Sequence, residues 1–230
     1  MGIKICLKIL VSLSAIIFTA NLYAIPVAGE SSGIFVNPTG PSTMQVTGVG
    51  TDYFTWGNGS PYNSPPSSLG YAGNLFSVET DDVFSFGTLS YFNGTVYPGT
   101  EAYSVDLSVA LSLTIPSGIT QDFLYDLALI NTPNTGDPNA SADIVNFAGT
   151  QPDTFFTVDG VNYTLEFLGF GEITGPGFTT IDNFHVLEGR SASAQLLGRI
   201  TVASVPEPTS LVLTGLGLAG LGFSRRKKAA

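Results

Sequence analysis

Apolar and polar side chains alternate with a period of two through most of the chain. Val105, Leu107, Val109, Leu111, Leu113 and Ile115 fall on one side of an extended segment, with Asp106, Ser108, Ala110, Ser112 and Thr114 on the other. This is the pattern of a strand with one face in a core and one in water. Pro116-Ser117-Gly118 ends the run, and Phe123, Tyr125, Leu127 and Leu129 carry a second one. Thr154 to Val158 and Val161 to Phe170 flank Asp159-Gly160. That dipeptide accepts positive φ at both turn positions, which predicts a two-residue type I′ hairpin. Further strands are predicted at Thr43 to Val49, Tyr53 to Trp56, Asn74 to Val78, Val83 to Phe92, Ile181 to Leu187 and Ala192 to Val202. Two long loops, Gly57 to Gly70 and Asn131 to Asp143, interrupt the strands with Pro and Asn.

About ten short strands punctuated by turn residues, with no sustained helical period between them, predict an all-β fold, an antiparallel β-sandwich or jelly roll. A parallel α/β fold is excluded because the crossover helices are missing. The two ends break the pattern. Residues 1–24 carry Lys4 and Lys8, an apolar run from Ile9 to Ala20 and a small residue, Ala24, before Pro26. That order predicts a signal peptide with an N-terminal signal helix. Cleavage is expected after Ala24, with Ala20 as the alternative. At the other end Pro206-Glu207-Pro208 precedes an apolar segment, Ser210 to Phe223, and a basic run of Arg225, Arg226, Lys227 and Lys228. Fourteen residues of helix span roughly 21 Å, a short membrane helix against a ~30 Å hydrocarbon core. The basic run would stay on the cytoplasmic side. The expected division is therefore a signal peptide (1–24), one β domain (25–204) and a C-terminal signal (205–230).

The Pro-Glu-Pro tripeptide, the membrane segment and the basic run together resemble the PEP-CTERM sorting signal of exopolysaccharide-producing bacteria. The resemblance implies an exosortase as partner, which would remove the tail and leave the body at the cell surface or in the matrix after a transient stay in the inner membrane. The body carries Val49-Gly50-Thr51, Phe54-Thr55-Trp56-Gly57 and Phe84-Ser85-Phe86-Gly87-Thr88-Leu89-Ser90-Tyr91-Phe92-Asn93-Gly94-Thr95 ahead of the strand at Val105. In this it resembles the choice-of-anchor K domain, a family that pairs one body with different anchoring tails. That resemblance implies a surface β domain and supplies no chemistry.

Charge narrows the partners. The chain has 230 residues, 8 Lys and Arg, 18 Asp and Glu, and a net charge of −10. Of the acids only Glu207 lies outside residues 25–205, and of the bases only Arg190 and Arg199 lie inside, so the body holds 17 acids against 2 bases, a net −15. Such a body cannot neutralise phosphates, which excludes nucleic acid as a partner. Cys6, the one cysteine, lies in the signal segment, so the body has no disulfide, thiolate metal site or cysteine nucleophile.

Candidate chemistry is sparse. His185 and Asp182 would lie on opposite faces of a strand, which argues against a Ser-His-Asp site. Asp81, Asp82, Glu166 and Glu172 are the carboxylates from which a glycosidase pair would have to be drawn. Gly215, Gly217 and Gly220 spell a dinucleotide fingerprint, but no βαβ unit surrounds it. Asn131, Asn134, Asp137, Asn139 and Asp143 offer oxygen ligands to Ca²⁺, the one candidate cofactor, although their spacing is not that of an EF-hand. Tyr53, Trp56 and Tyr62 are candidate glycan contacts. The sequence thus predicts an exported surface or exopolysaccharide-matrix protein with a structural or adhesive body and no catalysis. The alternatives are a carbohydrate-binding module on exopolysaccharide and a surface glycoside hydrolase.

Overall fold

Fourteen strands form among the described residues, each antiparallel to its neighbours. The protein is seen here as a computed structural model that describes residues 24–116, 118–149 and 153–202. The strands are β1 (Pro26–Thr39), β2 (Val46–Thr47), β3 (Tyr53–Trp56), β4 (Ser67–Gly73), β5 (Leu75–Glu79), β6 (Val83–Phe92) and β7 (Ser104–Ile115). They continue with β8 (Ile119–Ile130), β9 (Asp143–Phe147), β10 (Thr154–Val158), β11 (Val161–Thr174), β12 (Gly177–Thr179), β13 (Asn183–Val186) and β14 (Ser191–Val202). Sheet I runs β12-β13-β9-β8-β7-β1-β5, and sheet II runs β10-β11-β14-β6-β4-β3-β2. This is the sandwich that the alternation predicts.

Ring contacts join the two layers. Phe147 of sheet I lies 4.2 Å from Phe167 and 4.7 Å from Phe170 of sheet II, and Phe76 lies 4.7 Å from Phe84, measured between ring centres. Tilted and edge-on pairs of this kind add to the area the rings bury. The Asp159-Gly160 turn is as expected, with φ of 49° and 80° and Val158 paired to Val161.

Four strands depart from the sequence reading: β1, β4, β9 and β12. In β1 the inward positions are Val27, Gly29, Ser31, Gly33 and Phe35. The period of two is intact, but its middle is small because space opposite is already filled. A Cβ added at Gly33 would stand 2.6 Å from the Tyr71 ring of β4. The first predicted loop is shorter than expected, since Ser67 already pairs with Trp56, and it holds a 3₁₀ turn at Ser60–Tyr62. The second ends where Asp143 opens β9. No described helix is long and apolar enough to cross a membrane. The signal helix expected in residues 1–24, apart from Ala24 itself, and the membrane helix at 210–223 fall outside the described residues.

Candidate functional site

The outer face of sheet II carries a trough. Register places Tyr53 of β3 opposite Gly70 of β4, Gly70 opposite Ser90 of β6, Ser90 opposite Ser193 of β14, and Ser193 opposite Thr174 of β11. Five neighbouring strands thus contribute one cross-strand row, about 19 Å long at the usual strand spacing. The middle of the row is glycine and two serines, so the sheet surface is low there. Ser90 Oγ and Ser193 Oγ are hydrogen bonded at 2.8 Å. Tyr53, Pro65, Pro66 and Phe92 are large groups among the lining, and the space they enclose is about 660 Å³. No Asp, Glu, Lys, Arg or His lines it. The outer face of sheet I is different: Asp106 stands opposite Asp126 in the ladder, with Asp122 and Glu30 two and three rows further along the same face. Burial and then the nearby Asp106 raise the Asp126 carboxyl above its ordinary value.

A smaller cleft of about 280 Å³ is acidic. Its lining includes Thr95, Glu101, Asn131, Asn134, Asp143 and Glu188. Asp143 is 4% exposed, and its Oδ1 accepts hydrogen bonds from the Thr132 backbone N–H at 2.7 Å and the Thr132 hydroxyl at 3.2 Å. Burial pushes its carboxyl up to about 6 from 3.8; the Thr132 bonds oppose this, and the negative charge of Glu188 adds to it. Glu188 accepts a hydrogen bond from the Thr95 hydroxyl. Asn93, fully buried, holds the segment around Glu188 in place: its N–H donates to Arg190 O, its carbonyl accepts from Gly189 N–H, and its Nδ2 donates to Val186 O at 2.9 Å.

The structure brings together only part of the predicted oxygen set. Asn131, Asn134 and Asp143 line the cleft, joined by Glu101 and Glu188, which the sequence reading did not single out. Asp137 and Asn139 serve their own loop instead: Asp137 Oδ1 accepts from the Asn139 N–H at 2.9 Å. Among the described residues no group of three or more His, Cys, Asp or Glu side chains is disposed to hold a metal ion.

Of the three predicted glycan contacts, Tyr53 lines the trough and is 55% exposed. Tyr62 is exposed on the 3₁₀ turn, outside the trough lining. Trp56 is corrected: at 1% exposure it stacks in the core between Phe54 and Tyr91, at 5.8 and 5.7 Å, and offers no face to a sugar. His185 stacks on Phe178 at 4.1 Å, and burial lowers its pKa. Glu166 pairs with Arg199 at 2.6 Å, while Asp81, Asp82 and Glu172 are exposed. Pro206, Glu207, Pro208 and the basic residues Arg225, Arg226, Lys227 and Lys228 lie outside the described residues.

The molecule is thus an all-β sandwich whose last described strand, β14, ends at Val202. Directly after it, residues 204–227 match the family model of the PEP-CTERM protein-sorting motif. The motif marks an exported protein that an exosortase sorts at the membrane. No curated protein matches the chain.

Proposed function

We propose that this is a bacterial surface or exopolysaccharide-matrix protein whose sandwich body has a structural or adhesive role without catalysis. One observation carries the reading: the sorting motif begins two residues after β14, a strand paired on both sides within sheet II. The tail therefore follows directly on the end of a strand that β11 and β6 hold from both sides. In this reading an exosortase removes the tail at Pro206-Glu207-Pro208 and the body passes from the inner membrane to the surface or matrix. The body's resemblance to the choice-of-anchor K domain belongs to the same proposal, as does the division at residues 24 and 205. Deleting residues 206–230 is expected to abolish surface display in the native host, and unchanged display by the truncated chain would overturn the reading.

Two further readings attach to the acidic cleft. Calcium would take Asp143 and Glu188 carboxylate oxygens with the Asn131 and Asn134 amide oxygens, and its binding would raise the melting temperature with Ca²⁺ concentration. A surface glycoside hydrolase would use Asp143, its carboxyl pushed up to about 6 by burial, as acid beside Glu188. Release of reducing sugar from the host polysaccharide, lost in Asp143→Asn, is the measurement that favours it.

A further inference from the structure

We infer that the trough on the outer face of sheet II is a binding site for an uncharged glycan chain. The inference deepens the adhesive role proposed above and rests on it.

Shape comes first. The trough's volume of about 660 Å³ falls within the range of ligand sites, and its long axis crosses five strands, the form that suits a segment of polymer. It exists because Gly70, Ser90 and Ser193 place almost nothing above the sheet, while Tyr53 stands at the end of their row. A Cβ added at Gly70 would come 3.5 Å from Tyr53 Cδ2, so the ring leans over the glycine.

Chemistry narrows the occupant. The floor offers the hydroxyls of Ser90, Ser191, Ser193 and Thr174, each able to donate and accept. Tyr53 offers a rigid, half-exposed aromatic face. A ligand that satisfies both has many hydroxyls around an apolar ring face, which is the chemistry of a pyranose. The lining is free of ionised groups in a body that carries −15. A polyanionic chain would meet the repulsive field of that body with no cation to receive it, whereas a neutral chain would be indifferent to the field. Nucleic acid fails on the same ground. Tyr53 is the platform and the serine floor sets the fit.

The test uses the full chain in non-ionic detergent, passed over immobilised dextran, galactomannan, mixed-linkage β-glucan and alginate. Retention on at least one neutral polymer and none on alginate is expected. Tyr53→Ala should weaken that retention at least tenfold, Tyr53→Phe should keep it, and Ser90→Gln, which raises the floor, should reduce it. Each variant's melting temperature should stay at the wild-type value, because both positions face outward. Failure to bind any neutral polymer, preference for alginate, or equal retention by Tyr53→Ala and wild type would each overturn the inference. Should Tyr53→Ala lower the melting temperature, Ser90→Gln and Tyr53→Phe decide the matter alone. Surface display separates the two proposals: the trough variants should be displayed normally, so lost retention with normal display concerns the trough, and normal retention with lost display concerns sorting.

Discussion

The hydroxyl of Tyr71, on sheet II, lies 3.1 Å from Ser31 Oγ on sheet I, and both groups are buried. Tyr71 Oη is also 3.0 Å from the Phe86 carbonyl, Ser31 Oγ itself donates to that carbonyl, and the Asn74 N–H donates to Ser31 Oγ at 3.0 Å. Burial pushes the Tyr71 phenol up to about 12, with the hydrogen bond it shares with Ser31 acting in the opposite direction. A polar knot inside an aromatic core is stable only when each member is satisfied.

Ser31→Ala removes the partner of the half-buried Asn74 N–H and one of the two partners of the buried Tyr71 hydroxyl, and should cost about 1–3 kcal/mol. Gly33→Ala should cost a similar ~1–3 kcal/mol through overpacking, because its new methyl would meet the Tyr71 ring. Urea unfolding of each variant measures both losses. A double-mutant cycle of Ser31→Ala with Tyr71→Phe should show non-additivity, since the two share one network. Additive losses would show that the knot does not act as a unit.

Trp56 is a load on the core, not a surface platform. Trp56→Ala removes a fully buried ring from the stack with Phe54 and Tyr91 and should cost roughly 3–5 kcal/mol. Trp56→Phe keeps a ring in the stack and also removes an indole Nε1–H that has no hydrogen-bond partner among the described residues, so its cost should be much smaller. Thermal unfolding ranks the two, and equal losses would contradict this account.

Asp143 predicts a pH dependence. Its folded carboxyl holds a proton up to about pH 6, whereas the unfolded value is 3.8. Between these values the folded state binds more protons than the unfolded one, so this group's contribution to stability grows as pH falls from 6 toward 4. Above pH 6 the full penalty of the buried charge applies, worth roughly 3 kcal/mol at most. Denaturant melts at pH 4.5 and 7.5 should show this dependence in the wild type and less of it in Asp143→Asn. An identical dependence in both would assign the effect to other groups.

The strands that were legible in the chain are those whose inward positions are large. Val105 to Ile115 and Val83 to Phe92 announce themselves because Leu, Val, Phe and Tyr repeat on one face, and the structure places them as β7 and β6. β1 was hidden because its inward side is Gly29, Ser31 and Gly33, small residues chosen by rings that arrive from β4 and β5. The same limit applies to the sites. Tyr53 and Asp143 could be named from residue type, but Gly70, Ser90 and Ser193 form a row only through pairings across 20 and 103 residues of sequence. Glu188 joins Asp143 because Asn93 holds the segment around Glu188 against the end of β6, a contact between residues 93 positions apart. Small residues and distant partners leave no periodic trace.

β14 lies between β11 and β6, yet it is the last described strand to be made. Until it docks, sheet II is two fragments, β10-β11 and β6-β4-β3-β2, with four open edges in place of two. Open edges of this kind recruit other chains. If the tail is removed as proposed, removal before β14 inserts would release a body prone to pair with its neighbours, and removal after it would release a closed one. The residue that completes the sheet, Val202, stands next to the address that ends the journey.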